Sequence, residues 1–418
     1  MSTVEQDLIR WKTDAWKDRN MVAWYSNRMN ENSGTNRLKN RVEVDLCARF
    51  ITGQDVLDVG IGTGRASLPL IARGYRLAGT DSSQAMLDEC RRLAAGQPIE
   101  LVPGDVKALP FGDARFDSLI SLNVMTHFPH VESVLNEWKR VVKPGGRLIF
   151  DIYSLDQISF ARGREITVES LMEQEASNFN MHLSSERLVH AANSAGLRIV
   201  GTVPYGSLFS GEYKHWTFPM PLQASHWWRR QLSWIVSDDG LLDMAIFLEQ
   251  EWFAHLSNIT TGRFMVVLEN TPDEAANLQW HAEQMALSTR LVSEPVRLND
   301  LAPRLGMTVD AWRDRFDRHL ESCRNRTVAY FLLSTFLGRS DAVDWLDLAP
   351  RNGAILQRWA LAEEVDKQLQ RFVRQWHQEP AVAALCQSHG VDLGATLEYQ
   401  LQRKFVAQFG PLSGGSNQ

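Results

Sequence analysis

Short apolar runs alternate with amphipathic stretches through the first half of the chain. Asp55-Val-Leu-Asp-Val59 is a brief β-branched run that ends in glycines, the pattern of a strand buried on both faces of a parallel sheet. A helix is predicted from about Arg65 to Arg73, a second strand over Arg76–Thr80 and a second helix over Gln84–Ala95. Ile99–Val102 and Phe116–Leu122 read as the third and fourth strands. Val131–Val142 has apolar residues at helical spacing and is stopped by Lys143-Pro-Gly-Gly146, after which Arg147–Tyr153 forms a fifth strand. Ser184–Ala195 is a helix closed by Gly196, Leu197–Val203 a sixth strand and Phe264–Leu268 a seventh candidate. Strands and helices alternating at this interval predict an α/β fold, a doubly wound and mostly parallel sheet.

The interval of about 205–260 interrupts that rhythm. It is rich in aromatics, among them Tyr205, Trp216, Trp227 and Trp234, and predicts an insertion, either a lid or hydrophobic acceptor pocket, since loops this long inside a domain usually serve function, or plain packing between two domains. From Thr271 everything reads as helix. Thr271-Pro-Asp-Glu274 has the form of a capping box with proline at the first helical position. Ile355, Trp359, Ala362, Val365, Leu369, Phe372 and Trp376 form one apolar stripe at helical spacing. The expected organisation is a domain over 1–270 with cap helices in 1–50, an all-helical domain over 271–409 and a flexible tail over 410–418.

Composition narrows the classes. The 418 residues include 44 Lys+Arg and 50 Asp+Glu, a net charge of −6, which speaks against a broad electrostatic grip on nucleic acid or anionic membrane. The excess acid lies beyond residue 154: residues 1–154 hold 20 basic and 19 acidic side chains, the remainder 24 and 31. Cysteines at 47, 90, 323 and 386 show no paired spacing, so neither a zinc knuckle nor a disulfide framework is expected and a reduced compartment is. The run 328–337 is too short to span a bilayer and the first residues lack a signal-peptide core. A cytoplasmic protein with no membrane span is expected. Residues 300–312 have a helix–glycine–helix rhythm followed by arginines, but Asp310, Asp314, Asp317 and Glu321 interleave with them. A solvated, salt-bridged face is the better reading, and no nucleic-acid partner is expected. Glu251 with His255, and His281 with Glu283, are too weak a pattern for a metal site, and none is predicted.

The chemistry-bearing residues gather around the first turn. The first strand runs into Asp58-Val-Gly60-Ile-Gly62-Thr-Gly64, where glycines permit a tight turn and close approach of a ligand at the carboxyl edge of the sheet. Asp81 ends the second strand, 17 residues past Gly64, where a carboxylate can accept from both hydroxyls of a ribose. Pro103-Gly-Asp105 sets another acid at the same edge, able to accept from an exocyclic adenine amine. The block Phe116-Asp117, Asn123, His127, Trp138 and Arg140-Val-Val-Lys-Pro-Gly-Gly146 follows.

On these motifs, residues from about 54 to 153 resemble the class I S-adenosylmethionine-dependent methyltransferases, most closely the small-molecule branch that includes quinone, sugar and natural-product enzymes. The resemblance stays legible through the sixth strand and fades beyond about 205. It implies a seven-stranded Rossmann-like sheet and S-adenosylmethionine as cofactor, released as S-adenosylhomocysteine. Asp58 would orient the loop near the methionine amine, Gly60, Gly62 and Gly64 would pass under the cofactor, and Asp81 with Ser82 would hold the ribose. Asp105 and Val106 would meet the adenine, and Asn123 the methionine portion or the transferred methyl. A nicotinamide dehydrogenase, the nearest rival on such a sheet, spaces its last glycine one residue later, G-x-G-x-x-G.

The resemblance implies methyl transfer to an oxygen or nitrogen of a small-molecule acceptor of natural-product, sugar or envelope-precursor type. A protein or tRNA methyltransferase with the helical domain as docking module, and a non-catalytic scaffold, are the alternatives. His127 is the candidate base, set against a plain packing role; His182, His215 and His226 are weaker ones. Asp151 and Tyr153, two apart on one strand, should project to the same sheet face and are candidates to line the acceptor site. Tyr25 or Trp24 is the candidate to fold over the cofactor from a cap helix, set against packing of that helix on the sheet. The helical domain would close the acceptor site or form a homodimer.

Overall fold

A computed structural model describes residues 18–30, 34–162, 165–174, 180–206, 239–247, 249–250 and 262–293, with 308, 311 and 384 singly. Most of the aromatic interval, the stripe over 355–376, the tail, and His215, His226, Glu251 and His255 lie outside the described residues. The chain divides into two compact units, 1–224 with 246–294, and 225–245 with 295–418.

The first unit opens with two cap helices, α1 (Arg19–Asn30) and α2 (Gly34–Phe50). The sheet strands follow: β1 (Asp55–Val59), β2 (Arg76–Asp81), β3 (Ile99–Pro103), β4 (Phe116–Ser121), β5 (Val142–Ser154), β6 (His182–Leu183), β7 (Arg198–Tyr205) and β8 (Arg263–Glu269). Helices α3 (Ser67–Ala72), α4 (Gln84–Ala94), α5 (Val131–Val141), α6 (Leu155–Arg162), α7 (Val168–Gln174), α8 (Ser185–Ala195) and α10 (Glu274–Ser293) lie between and after them. Helix α9 (Asp239–Phe247) begins in the second unit's residues. The strand order is β3-β2-β1-β4-β5-β8-β7, with the two-residue β6 on β5. β8 runs antiparallel to both neighbours. The expected seven strands are therefore present, and the short β6 makes an eighth.

The core is a sandwich of the sheet with α5 and α8. Trp138 on α5 is fully buried, meets the Phe150 ring edge-on at 5.8 Å and donates its indole N–H to the Val106 carbonyl at 3.2 Å. A buried Trp needs such a partner for its N–H.

Three boundaries differ from the sequence pattern. The first crossover helix starts at Ser67 rather than Arg65, because Arg65 turns inward to the Glu43 carboxylate. Lys143-Pro-Gly-Gly146 stops α5 as expected, yet β5 already begins at Val142. Asn270 clasps that segment: its backbone N donates to Gly146 O at 2.8 Å, its amide to Val142 O at 2.8 Å, and Gly145 N donates to Asn270 O at 2.9 Å. Finally, α10 starts at Glu274 and its cap is Asp273, whose carboxylate accepts from Ala276 N at 3.0 Å. Neither Thr271 as cap nor Pro272 as first helical residue holds. α10 belongs by its packing to the first unit, whereas the sequence pattern put it with the helical domain. Its Asn277 accepts from Ile199 N at 2.6 Å and donates to Leu197 O at 2.8 Å.

Candidate active site

The parallel strands β1, β2, β4 and β5 end at one edge, and the first turn rises there. Gly60, Gly62 and Gly64 all have positive φ, +72°, +54° and +82°, a region that L-residues with a Cβ avoid. Their surroundings differ. A Cβ on Gly60 would meet Val124 Cγ2 at 2.3 Å and one on Gly64 the Cys90 sulfur at 2.8 Å, whereas one on Gly62 would meet nothing within 4 Å among the described residues. Gly60 and Gly64 are required by packing; Gly62 faces open space, where a ligand can approach its backbone.

Asp58, at the head of that turn, is buried, and Ser67 Oγ donates to it at 2.7 Å. Burial lifts its carboxyl to about 7, opposed by the Ser67 bond and the Arg65 charge. Asp81 ends β2, accepting from Gly62 N and Ser83 N at 2.9 Å each. Burial pushes its carboxyl up, and these backbone donors pull it back. The acid thus ties the glycine turn to the second strand and keeps lone pairs for a ligand, since a carboxylate offers about four acceptor positions. Ser82 beside it is exposed, and Ser83 caps α4. Asp105 is exposed beyond β3 and accepts from Lys107 N at 2.8 Å; Val106 is half-buried against the core.

The candidates on the other side of the turn come together in a buried polar cluster. Asn123, just past β4, adopts a left-handed φ of +61° and donates its backbone N–H to Asp151 Oδ1 at 2.5 Å; asparagine tolerates that conformation better than most residues. Asp151 and Tyr153 meet the same guanidinium, as their shared face requires. Arg263 Nη1 lies 3.0 Å from Asp151 Oδ2, Nη2 donates to the Tyr153 hydroxyl at 2.6 Å, and the guanidinium stacks over the Tyr153 ring at 4.6 Å. His182 stacks on the Tyr153 ring at 5.2 Å and shares a hydrogen bond of 2.7 Å with Asn180 O, so it is a buried support. Tyr25 reaches the site from α1, hydrogen-bonded to Arg65 within the field of Asp81; burial raises its hydroxyl pKa. His127 stands on the 3₁₀ turn Met125–His127, four residues past Asn123, and is half-buried.

Sequence reasoning missed the residues that knit this cluster: Lys39, Asn40, Glu43, Arg65, Tyr205 and Arg263. Arg65 Nη1 donates to Asn40 Oδ1 at 2.8 Å and to Glu43. The Tyr205 hydroxyl donates to Glu43 Oε1 at 2.9 Å and lies 3.3 Å from Asp151 Oδ2. Lys39 Nζ donates to Asn123 Oδ1 at 3.1 Å, and Arg263 Nη1 to the same oxygen at 2.8 Å. Burial alone would lift the Glu43 carboxyl, but Arg65, Lys39 and Arg263 outweigh it and hold it at about 2. A signal was present: Lys39 and Glu43 stand four apart on the helix face that carries buried Leu38, Val42 and Leu46, and Arg263 opens a strand whose next five residues, Phe264–Leu268, are all apolar.

The block between Phe116 and Gly146 proves largely structural. Asp117 Oδ2 accepts from Gln54 N and Asp55 N at 2.9 Å each, and Oδ1 from Lys143 Nζ at 2.7 Å, which pins the start of β1. Among the described residues, no group of three His, Cys, Asp or Glu side chains could hold a metal ion, and no helix is long and apolar enough to cross a membrane.

An open parallel sheet with a glycine turn after β1, an acid ending β2 and an antiparallel strand between β5 and β7 defines the class, and residues 57–150 match the family described as "Methyltransferase domain". The chain carries a class I S-adenosylmethionine-dependent methyltransferase domain, and S-adenosylmethionine is its cofactor. The open approach to Gly62 and the Asp81 carboxylate fit that molecule's ribose and methionine arm. A demethylmenaquinone methyltransferase from Clavibacter sepedonicus is 34% identical over 123 residues, 29% of this chain and 50% of the relative. A malonyl-[acyl-carrier protein] O-methyltransferase from Erwinia pyrifoliae is 31% identical over 146 residues, 35% and 53% respectively. A ubiquinone biosynthesis O-methyltransferase from Alkalilimnicola ehrlichii is 30% identical over 120 residues, 28% and 49%. The chain spans about half the length of these curated relatives.

Proposed function

We propose that the whole protein transfers a methyl group from S-adenosylmethionine to an oxygen or nitrogen of a small-molecule acceptor, of natural-product, sugar or envelope-precursor type, by in-line displacement. The observation that carries this reading is the union of Asp81, the open Gly62 turn and the buried polar cluster at one sheet edge. The relatives' names support a small acceptor. The bound cofactor supplies an already activated methyl on sulfonium. What remains for the protein is to bind, orient and exclude water, and positioning alone supplies much of the rate of such a reaction.

The proposed roles are as follows. Asp81, with Ser82 beside it, accepts from the ribose hydroxyls; Asp58 lies under the amino-acid end; Gly60, Gly62 and Gly64 form the floor. Asp105 and Val106 meet the adenine. Asn123 fixes the boundary between cofactor and acceptor, Tyr25 covers it from α1, and Asp151 and Tyr153 carry the acceptor wall. His127 is the candidate to receive a proton from the acceptor. The setting is cytoplasmic.

Incubation with deuteromethyl-labelled S-adenosylmethionine and host extract, fractionated by size, tests the reading. Label in the small-molecule fraction is expected and gives the acceptor's mass. Label on protein or RNA would replace it with a docking methyltransferase, and cofactor binding with no labelled product would favour a scaffold.

A further inference from the structure

The crossover from β3 to β4 runs through residues 104–115 and contains no helix. A crossover helix would pair its own backbone groups, whereas this segment needs partners elsewhere. Helix α5 supplies them. Trp138 Nε1 donates to Val106 O at 3.2 Å, and Glu137 Oε1 accepts from Leu109 N at 2.7 Å. Arg140 Nη2 donates to Leu109 O at 3.1 Å and Nη1 to Phe111 O at 2.8 Å. Farther along, Ala114 N donates to Arg140 O at 2.8 Å and Arg115 N to Val141 O at 2.9 Å. The two charged side chains are also locked to each other. Arg140 Nη2 and Nε donate to Oε1 and Oε2 of Glu137 at 2.6 and 3.0 Å, and Nη1 donates to Asp113 Oδ1 at 2.6 Å. The bond from Arg140 holds the Glu137 carboxyl below the usual carboxylate range, so the pair stays charged at neutral pH.

Asp105 has no such anchor of its own. Among the described residues its hydrogen bonds are local: Oδ1 accepts from Lys107 N at 2.8 Å and its carbonyl from Ala108 N at 3.0 Å. These bonds close a tight turn over 105–108. Where that turn sits is set by what holds Val106 and Leu109, and that is Trp138, Glu137 and Arg140. We propose that Glu137 and Arg140 are positioning residues for the cofactor's adenine, fixing the turn so that the Asp105 carboxylate meets the exocyclic amine and Val106 the ring. The inference rests on the assignment of Asp105 and Val106 to the adenine and deepens it: selectivity for the base is set from α5. Neither residue touches the base, and both act through the turn. The planar fork of an arginine is what the arrangement needs, because one side chain must reach two carbonyls and two carboxylates at once. A pair that served the fold alone would lower stability on removal and leave the preference for adenine intact.

The test uses the full chain and two ligands, S-adenosylhomocysteine and S-inosylhomocysteine, in which a carbonyl replaces the 6-amino group. Calorimetry gives the ratio of their affinities. The wild type is expected to favour the adenine ligand by about tenfold or more, because a site that accepts from an amine rejects the analogue lacking it. Asp105→Ala should erase that preference. Arg140→Lys keeps a charge beside Glu137 but cannot reach Leu109 O and Phe111 O together, and should bring the two affinities within about threefold of each other. Should Arg140→Lys fail to fold, Glu137→Gln, which keeps Oε1 for Leu109 N and loses the ion pair, is read for a fall in the same direction. Lys143→Met, which releases Asp117 at the opposite edge of the sheet, should lower the melting temperature and leave the ratio at the wild-type value. A wild-type ratio in the folded Arg140 or Glu137 variant overturns the positioning role. So does an equal fall in Lys143→Met, which would make selectivity a by-product of stability. No preference in the wild type, or one that survives Asp105→Ala, overturns the adenine assignment itself and the inference with it.

Discussion

Two carboxylates at the glycine turn behave oppositely to a surface acid. Asp81 is a half-exposed acceptor already holding Gly62 N and Ser83 N. Charge-assisted bonds to a ribose diol are worth about 1.5–3 kcal/mol each, so Asp81→Ala is expected to weaken S-adenosylhomocysteine at least about tenfold by calorimetry, at roughly 1.4 kcal/mol per decade. Unchanged affinity would remove Asp81 from the site. Asp58 is lifted by burial to about 7. Its folded pKa exceeds the unfolded value, so the folded state holds the extra proton and stability falls as pH rises from about 4 to 7. Asp58→Asn keeps an oxygen for Ser67 and removes the titration. The variant's melting temperature should gain on the wild type across that window and run parallel to it above; a constant difference from pH 4 to 8 would contradict the burial argument. Asp81 at the end of β2, the turn and the Asp151–Tyr153 face were all legible at this scale, because spacing and strand ends reveal them. Lys39, Glu43 and Arg263 were not, because their meaning lies largely in partners distant in sequence, 84 residues for Lys39 with Asn123 and 220 for Glu43 with Arg263.

At the scale of elements, the glycine turn separates two kinds of requirement. Gly60→Ala drives a methyl into Val124 and should lower the melting temperature sharply, with cofactor affinity lost as a consequence. Gly62→Ala meets no atom of the described residues within 4 Å, so its main effect should be weaker S-adenosylhomocysteine binding, with only the strain of a positive φ, about 1 kcal/mol, on stability. Equal melting losses in the two variants would contradict this division. Helix α2 is joined to the sheet by Glu43, which accepts from Arg65 and Tyr205 and lies 3.4 Å from Arg263. Removing one member of such a buried pair costs about 3–5 kcal/mol, and Glu43→Gln is expected to destabilise in that range near neutral pH. Its carboxyl is depressed to about 2. The stabilisation it supplies is therefore present above about 4.5 and lost as pH falls through 2, where wild type and variant should converge. Element order and most strand positions could be read from the apolar runs. Boundaries failed where a side chain had a long-range engagement, as at Arg65, or where a neighbouring turn fixed the end, as Asn270 does for β5.

For the whole molecule, α10 decides where the first unit can be cut. Asn277 satisfies Ile199 N and Leu197 O on β7, two groups that would otherwise be left without that partner at a sheet edge. A chain ending at Glu294 is expected to bind S-adenosylhomocysteine, whereas one ending at Asn270 should lose binding or precipitate. If both bind equally, α10 is dispensable to the first unit. Turnover in the longer chain then reports whether residues beyond 294 take part in the acceptor site.

The position of β8 has a consequence for biosynthesis. This strand comes last in sequence among the eight, yet it is inserted between β5 and β7. On the ribosome, the 115 residues that separate Ser154 from Glu269 take about 6–23 s to make at roughly 5–20 residues per second. Throughout that interval the edge of β5, with Leu148, Ile149, Phe150 and Ile152, has no permanent strand beside it on the side β8 will fill. A nascent chain of this protein therefore presents a sticky edge for seconds before it can close, and its yield in a cell should depend on whatever shields that edge while translation finishes.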